Sequence, residues 1–424
     1  MTQFVAAADL DLGRYIRPGD HIIWSHACGE PLTLTETLVA QRAGLGGVNA
    51  FIGSAFSATL QPEHADHMAF SSMGAIGTLS RLTRANCLNV IPCHVGQIAG
   101  MIEAGIIPCD VAFLQLSRAG EDGRHGYGVT NDYSQAIAAR ARVVVAEINA
   151  AVPRTMCDQT LGADAIDIAV TTDRPVLELR AAEPTETDRA IAGFVCRYIE
   201  DGTTLQMGIG AVPEAVTRLI ADRRDLGVHS GMIGDGIAAL IEAGVVTNAR
   251  KARDAGVTVT GALIGTKRLY DLAHDNPAIA LRNSHATHGD AVLNGIRGLV
   301  TINSAIEVDL TGQVNAEQTG AHYLGGTGGQ VDYVRAGSRA RGGHSIIALP
   351  ATAKGGEVSR ITACLSGPVT TARAEIDVII TEFGVAELKG VGLGERARRL
   401  VAIAHLRFRE ELSRAAHDIA RRGF

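Results

Sequence analysis

Two glycine-rich stretches and a few acids are the residues through which this chain could do chemistry. Gly208-Ile209-Gly210-Ala211-Val212-Pro213 follows the run Leu205-Gln206-Met207. A strand, a glycine turn and a helix start in that order leave backbone N–H groups and the helix dipole free to hold a phosphate. The stretch lacks the third glycine of a dinucleotide fingerprint, and no clear strand ends in an acid about 20 residues later. It therefore reads as an anion cradle or as a plain strand–helix turn. Gly325-Gly326-Thr327-Gly328-Gly329 leads into Gln330-Val331-Asp332-Tyr333. Such a loop either aims successive amides at an anion or oxyanion, or is a flexible hairpin. Gly342-Gly343-His344 and Ala353-Lys354-Gly355-Gly356 follow, and Lys354 is either a point charge for a phosphate or a solvated lysine. His285 and His288 are close in sequence and His229 stands apart, with no HExxH or Cys/His spacing, so no metal site is expected. There is no Gly-x-Ser-x-Gly nucleophile elbow.

These residues need a scaffold, and the chain reads as strands alternating with amphipathic helices. Val143–Val145 and Ile376–Ile380 are short β-branched runs typical of buried strands. Glu214–Arg223 and Gly236–Ala243 have apolar residues at helical spacing, and Glu395–Arg422 predicts a charged helix or helix pair. Alternation of this kind favours parallel α/β sheets. The pattern also repeats. Ile16-Arg17-Pro18-Gly19-Asp20 precedes a strand, then Gly29-Glu30-Pro31 and a helical run; Ile199-Glu200-Asp201-Gly202-Thr203 precedes a strand, then the Gly208 turn and another helical run. Asp110–Gln115 pairs in the same way with Asp377–Glu382, which gives the second half a long additional segment between its two marks. Two related open α/β domains are expected, 1–183 and 184–424, joined near Glu183-Pro184-Thr185-Glu186, with a cleft between them. Ligands of such folds sit at the carboxyl ends of strands.

Composition narrows the partners. Glycine supplies 49 of 424 residues, well above a usual share of about 7%, without the three-residue period of collagen. The hydrophobic share of 46% supports a folded core, and the net charge of −6 with no basic stripe argues against nucleic acid. The apolar runs are too short to span a bilayer, and the start of the chain lacks a secretory pattern. Seven cysteines without CxxC spacing predict reduced thiols in a cytoplasmic protein.

Several ordered motifs resemble the acetyl-CoA hydrolase/transferase family, the class I CoA-transferase group that includes 4-hydroxybutyrate and butyryl-CoA:acetate CoA-transferases. They are Leu205–Pro213, Leu226-Gly227-Val228-His229-Ser230, Asp235-Gly236, Gly244-Val245-Val246-Thr247-Asn248, Ile302–Gln313, Gly325–Tyr333, Thr381–Gly390 and Ala404-His405. The first half contributes Gly29-Glu30-Pro31 and Asp110-Val111-Ala112. The resemblance spans nearly the whole chain. It implies two CoA-transferase-type α/β domains, an acyl-CoA and a small carboxylic acid as substrates, no cofactor beyond coenzyme A as substrate, and a homo-oligomer.

The resemblance also implies covalent chemistry through a glutamate in a His-Ser-Glu-Met motif. That carboxylate attacks the thioester, and a glutamyl-CoA intermediate follows. Here the stretch reads His229-Ser230-Gly231-Met232, so the nucleophile position is Gly231 and the side chain is absent. Three readings stay open: an inactive or altered protein, hydrolysis by water with a nearby acid as base, or transfer through a substitute carboxylate or directly between substrates. Asp235, Glu307 and Glu382 are the candidate acids. By the same match, Gly208, Ile209, Gly210, Ala211 and Val212 contact CoA, and Gly328 and Gly329 line the oxyanion and CoA site. Lys354 approaches the CoA, and Asn283 touches the acyl or carboxylate group, although Arg282-Asn283-Ser284-His285 departs from the family pattern. The expectation is CoA transfer or acyl-CoA hydrolysis; a catalytically silent CoA-binding protein or partner subunit is the alternative.

Overall fold

The computed structural model describes residues 2–422. From the first part of the chain come β1 (Gln3–Phe4), β2 (His21–Trp24), β3 (Val48–Ile52), β4 (Met68–Ser72), β5 (Leu88–Val90), β6 (Val111–Leu116), β7 (Val143–Asn149), β8 (Met156–Cys157) and β9 (Ile168–Thr172). All but β8 form an eight-stranded sheet in the order β1-β9-β7-β6-β2-β3-β4-β5, and every neighbouring pair is parallel. A parallel sheet is covered on both faces, which demands continuous apolar runs rather than alternation. Each residue of β6 and β7 is accordingly buried.

The second sheet has nine strands: β10 (Thr204–Met207), β11 (Gly227–Ile233), β12 (Thr258–Leu263), β13 (Ile279–Leu281), β14 (Leu299–Asn303), β15 (His344–Ala348), β16 (Val378–Thr381), β17 (Gly384–Glu387) and β8 from the first half. Their order is β17-β16-β15-β14-β10-β11-β12-β13-β8. Only the β16–β17 pair is antiparallel. The central seven strands of the two sheets, β9-β7-β6-β2-β3-β4-β5 and β16-β15-β14-β10-β11-β12-β13, have the same connectivity. The chain is thus two copies of one α/β unit.

The repeat differs in one respect from the sequence reading. β6 neighbours β2 as β14 neighbours β10, so the counterpart of β6 is β14, and β16 matches β9. The aspartates show why the sequence misleads. Asp110 accepts a hydrogen bond from the His21 amide (2.8 Å), Asp167 from the Val144 amide (2.8 Å) and Asp377 from the Ser345 amide (3.2 Å). Each aspartate caps the free amide at the start of the strand beside it. The motif therefore recurs at several strands, and Asp377 answers to Asp167 rather than Asp110. With this pairing most of the additional segment between the two marks disappears.

The halves are stitched together by backbone. β8 pairs with β13 across the boundary. The Asn131 amide donates to Gly261 O (2.9 Å), Leu263 N to Val129 O (2.8 Å), Ala75 N to Gly325 O (2.7 Å) and Val95 N to Gly328 O (3.0 Å). At Gly74 a Cβ would lie 2.6 Å from Gly325 O, so this approach of two loops requires glycine. The tail resolves into two helices, Leu393–Ile403 and Arg409–Arg422. All seven cysteines are free thiols. Among the described residues no helix is long and apolar enough to cross a membrane.

Candidate active site at the junction of the halves

Three segments of the second half meet at Gly231. Strand β11 brings His229 and Gly231 on one face, since side chains alternate along a strand. The short helix α1 (Ser284–His288) ends on His288, and helix α2 (Gln330–Arg339) begins immediately after Gly329 and carries Tyr333. Asn283 caps α1 by accepting from the Ala286 amide (3.1 Å), and its Nδ2 donates to Gln135 Oε1 (2.9 Å). The result is a buried imidazole, 5% exposed, held between two glycines. A Cβ on Gly231 would lie 2.6 Å from His288 Cε1 and 2.7 Å from Nε2, and a Cβ on Gly329 would fall 2.6 Å from Cδ2 of the same ring. Tyr333 closes the third side, edge-on with ring centroids 4.8 Å apart, and its hydroxyl donates to Thr287 O (2.8 Å).

Two contacts of Thr287 Oγ1 bear on the His288 tautomer: it donates to Asn283 O (3.2 Å) and lies 2.8 Å from His288 Nδ1. One hydroxyl proton serves one acceptor. In the tautomer in which the helix carbonyl takes it, Nδ1 carries the ring hydrogen and Nε2 keeps a free lone pair beside Gly231 and Gly329. Burial pushes the His288 pKa down to about 4, with the Asp132 carboxylate opposing it. His229 is driven to about 3 by burial first, then by the Lys251 charge.

The first half supplies the facing wall. His26 Nε2 lies 2.9 Å from Asp132 Oδ2, and His26 Nδ1 lies 3.0 Å from Ser54 Oγ. The His26 ring stacks on Tyr133 at 4.8 Å. The second Asp132 oxygen, Oδ1, is buried without a hydrogen-bond partner. It packs against Gly261, where any Cβ would collide with it and would come within 2.9 Å of Gly231 O. Gly96, from the helix Val95–Glu103, touches the same cluster: a Cβ there would meet Asp332 Oδ2 at 3.1 Å and His288 Cβ at 3.2 Å. Asp332 accepts from the Gly96 amide (3.1 Å), and burial raises its pKa to about 6.

The Gly208 turn, which follows the strand paired with β11, opens into two cavities that do not include Gly231 or His288 in their lining. One, of about 210 Å³, is lined by Gly208, Ile209, Gly210, Asp235 and Arg180 among others; the second, of about 300 Å³, runs along Gly208–Pro213 to Ile302 and Ser304. Gly210 adopts φ +127°, open in practice only to glycine. The helix Ala211–Leu219 that follows has no side-chain cap, so its first amides are available to a ligand.

The remaining expected residues have other surroundings. Glu307 Oε1 accepts from Asn315 Nδ2 (2.8 Å), the Ser366 amide (2.6 Å) and Ser366 Oγ (2.9 Å). Glu382 Oε2 accepts from the Ala351 amide (2.8 Å). Asp235 holds the Thr266 amide (3.1 Å) and hydroxyl (3.0 Å). Lys354 sits exposed, with φ +50°, at the turn of a small hairpin. Gly328 O is engaged by Val95 N. The fold therefore joins Gly231 to Gly329 and brings the Gly208 turn alongside, while Glu307 is held by Asn315 and Ser366 and Glu382 by the Ala351 amide. His288, Tyr333, Asp132, His26 and Gly261 were not singled out by sequence reasoning as site residues; nothing in their spacing marks them.

The chain resembles known proteins along nearly its whole length. Residues 7–178 match the acetyl-CoA hydrolase/transferase N-terminal domain and residues 265–416 match the acetyl-CoA hydrolase/transferase C-terminal domain. The chain is 37% identical to 4-hydroxybutyrate coenzyme A transferase of Clostridium kluyveri over 92% of each chain. It is 31% identical to butyryl-CoA:acetate CoA-transferase of Anaerostipes caccae, over 95% of this chain and 94% of the relative. Among solved structures, RipA from Yersinia pestis superposes with a TM-score of 0.93 at 31% identity, covering 99% of this chain and 98% of RipA.

Proposed function

This chain belongs to the acetyl-CoA hydrolase/transferase family, and from that premise we propose that it cleaves an acyl-CoA thioester at Gly231 without a glutamyl-CoA intermediate there. It is an acyl-CoA enzyme of the kind that moves CoA to a small carboxylic acid or hydrolyses the thioester. One observation carries the finer reading: the imidazole of His288 occupies the space into which a side chain at 231 would grow. Position 231 is not an empty socket awaiting a carboxylate; it is filled by a neutral base. Water as acceptor follows more naturally than a carboxylate nucleophile, because the ring takes the room of a side chain at 231 while a small molecule can approach the half-buried Gly231 from outside.

In this reading the CoA phosphates lie along Gly208, Ile209, Gly210, Ala211 and Val212, whose cavities and uncapped helix start suit an anion. Gly328 and Gly329 face the oxyanion, Lys354 meets the outer part of CoA, and Asn283 acts by holding α1. CoA is a substrate and no other cofactor is required. The enzyme works as a cytoplasmic homo-oligomer of two-domain chains, divided at 183/184.

Mixing the protein with acetyl-, butyryl- and succinyl-CoA, with and without acetate, tests the reading through free thiol and new thioester. Thiol release without an acceptor supports it. New thioester formed only with acetate would assign transfer instead, and tight CoA binding with neither product would mean a silent binding protein.

A further inference from the structure

We propose that His288 Nε2 is the general base that activates the attacking water at Gly231, a proposal that rests on the hydrolytic reading above. Three structural features lead there. The ring is fixed on three sides, by Gly231, Gly329 and Tyr333, with Nδ1 held by Thr287 Oγ1. Nε2 makes no hydrogen bond among the described residues and lies against Gly231 and Gly329, and its lone pair is free in the tautomer in which Thr287 Oγ1 donates to Asn283 O. Gly231 itself is only half-buried although His288 is buried, so the lone pair sits at the edge of solvent-reachable space rather than deep in the core.

Nε2 stands 2.7 Å from the point where the Cβ of a side chain at 231 would begin, so a water hydrogen-bonded to it at about 3 Å would lie beside Gly231. Water gives a proton to Nε2 while its oxygen bonds to the thioester carbonyl carbon. The tetrahedral oxyanion collapses, the C–S bond breaks, and the imidazolium returns the proton to the leaving thiolate. The products are the carboxylic acid and CoA thiol.

The surroundings of the ring supply the electrostatics. From β11 comes His229, held neutral; from α2 come Tyr333 and Asp332; from the first half comes Asp132, the carboxylate that favours the charged ring. Helix α1 contributes His285, but that ring turns to Glu103 (3.3 Å). Burial keeps Nε2 unprotonated throughout the neutral range, which weakens it as a base. The unpartnered Asp132 Oδ1 offsets part of that weakness as the imidazolium forms.

The test is His288→Gln, with thiol release and CoA affinity measured together. The expected result is a fall in kcat of about 10²–10⁴-fold with the Kd for CoA unchanged, and loss of the acid limb from the pH profile. His288→Ala should recover turnover when imidazole is added, which decides the matter if the Gln variant folds poorly. Full turnover in His288→Gln, or no imidazole rescue of a folded His288→Ala, overturns the assignment. Failure of the underlying reading looks different: the wild-type enzyme itself would release no thiol without a carboxylic acid.

Discussion

Installing a glutamate at position 231 should fail on its own and succeed only when His288 is cut back. In Gly231→Glu the new Cβ would sit 2.6 Å from His288 Cε1. The ring is confined, because Gly329 also meets its Nε2 edge and Tyr333 packs against it at 4.8 Å between centroids. Overpacking of this sort costs about 1–3 kcal/mol, and the upper end is expected here because the carboxylate must also be accommodated. Gly231→Ala separates the two contributions: it carries the steric term alone. Adding His288→Ala removes the obstructing ring, so the pair should be coupled by about 1–3 kcal/mol in a double-mutant cycle, within the range seen for residues in contact. Denaturant titration of the four proteins measures the coupling. Borohydride trapping after incubation with acetyl-CoA measures the chemistry. The double variant should accumulate a glutamyl-CoA that neither single variant forms, and should transfer CoA to acetate. Additive stabilities, or a trapped intermediate in Gly231→Glu alone, would refute the reasoning, since either result means that the ring does not own that space.

Four further outcomes follow from the same geometry. The native imidazole of His288 titrates near 4 against about 6.5 unfolded, so the unfolded chain binds the extra proton first; stability is complete above pH 6.5 and falls by about 3 kcal/mol as pH drops to 4, a loss that His288→Gln should remove from a melting-temperature series. Asp132→Asn should move the acid limb of kcat/KM to lower pH, because the charge that favours the imidazolium is gone, and an unmoved limb would show that Asp132 acts only on His26. Asn283→Ala removes the cap of α1 and should cost about 1 kcal/mol, read by denaturation, together with a drop in turnover as His288 loses its fixed position. Glu307→Gln should lower stability by about 1–3 kcal/mol through its three donors while leaving kcat within a few fold; abolished turnover in a folded protein would instead make Glu307 the substitute acid.

Architecture was legible in the sequence because parallel sheets write themselves as apolar runs. Val143–Val145 and Ile376–Ile380 marked β7 and β16, and the two strand–turn–helix openings at Ile16 and Ile199 marked the duplicated unit. The alignment of the later strands went astray at Asp110 and Asp377 for a physical reason. An aspartate ahead of a strand answers a need that every parallel strand start has, a partner for a free amide, so it recurs wherever that need arises and identifies no particular strand. Topology, which depends on who pairs with whom, is not carried by a local motif.

The site was legible in one half only. Gly231 drew notice because the family resemblance implies a glutamate at that position. What packs against it could not be read, because His288 arrives from the end of a five-residue helix whose position depends on the Asn283 cap and on the packing of Gly96, Gly329 and Tyr333. The sequence spacing of His285 and His288 could not separate the two rings: one reaches out to Glu103 and the other is sealed between two glycines. Gly231, Gly329 and His288 are therefore best understood together: in this packing the imidazole lies where a Cβ on either glycine would fall. A side chain at 231 and this buried ring compete for the same space, so the chemistry at this position is set by whichever one the packing admits.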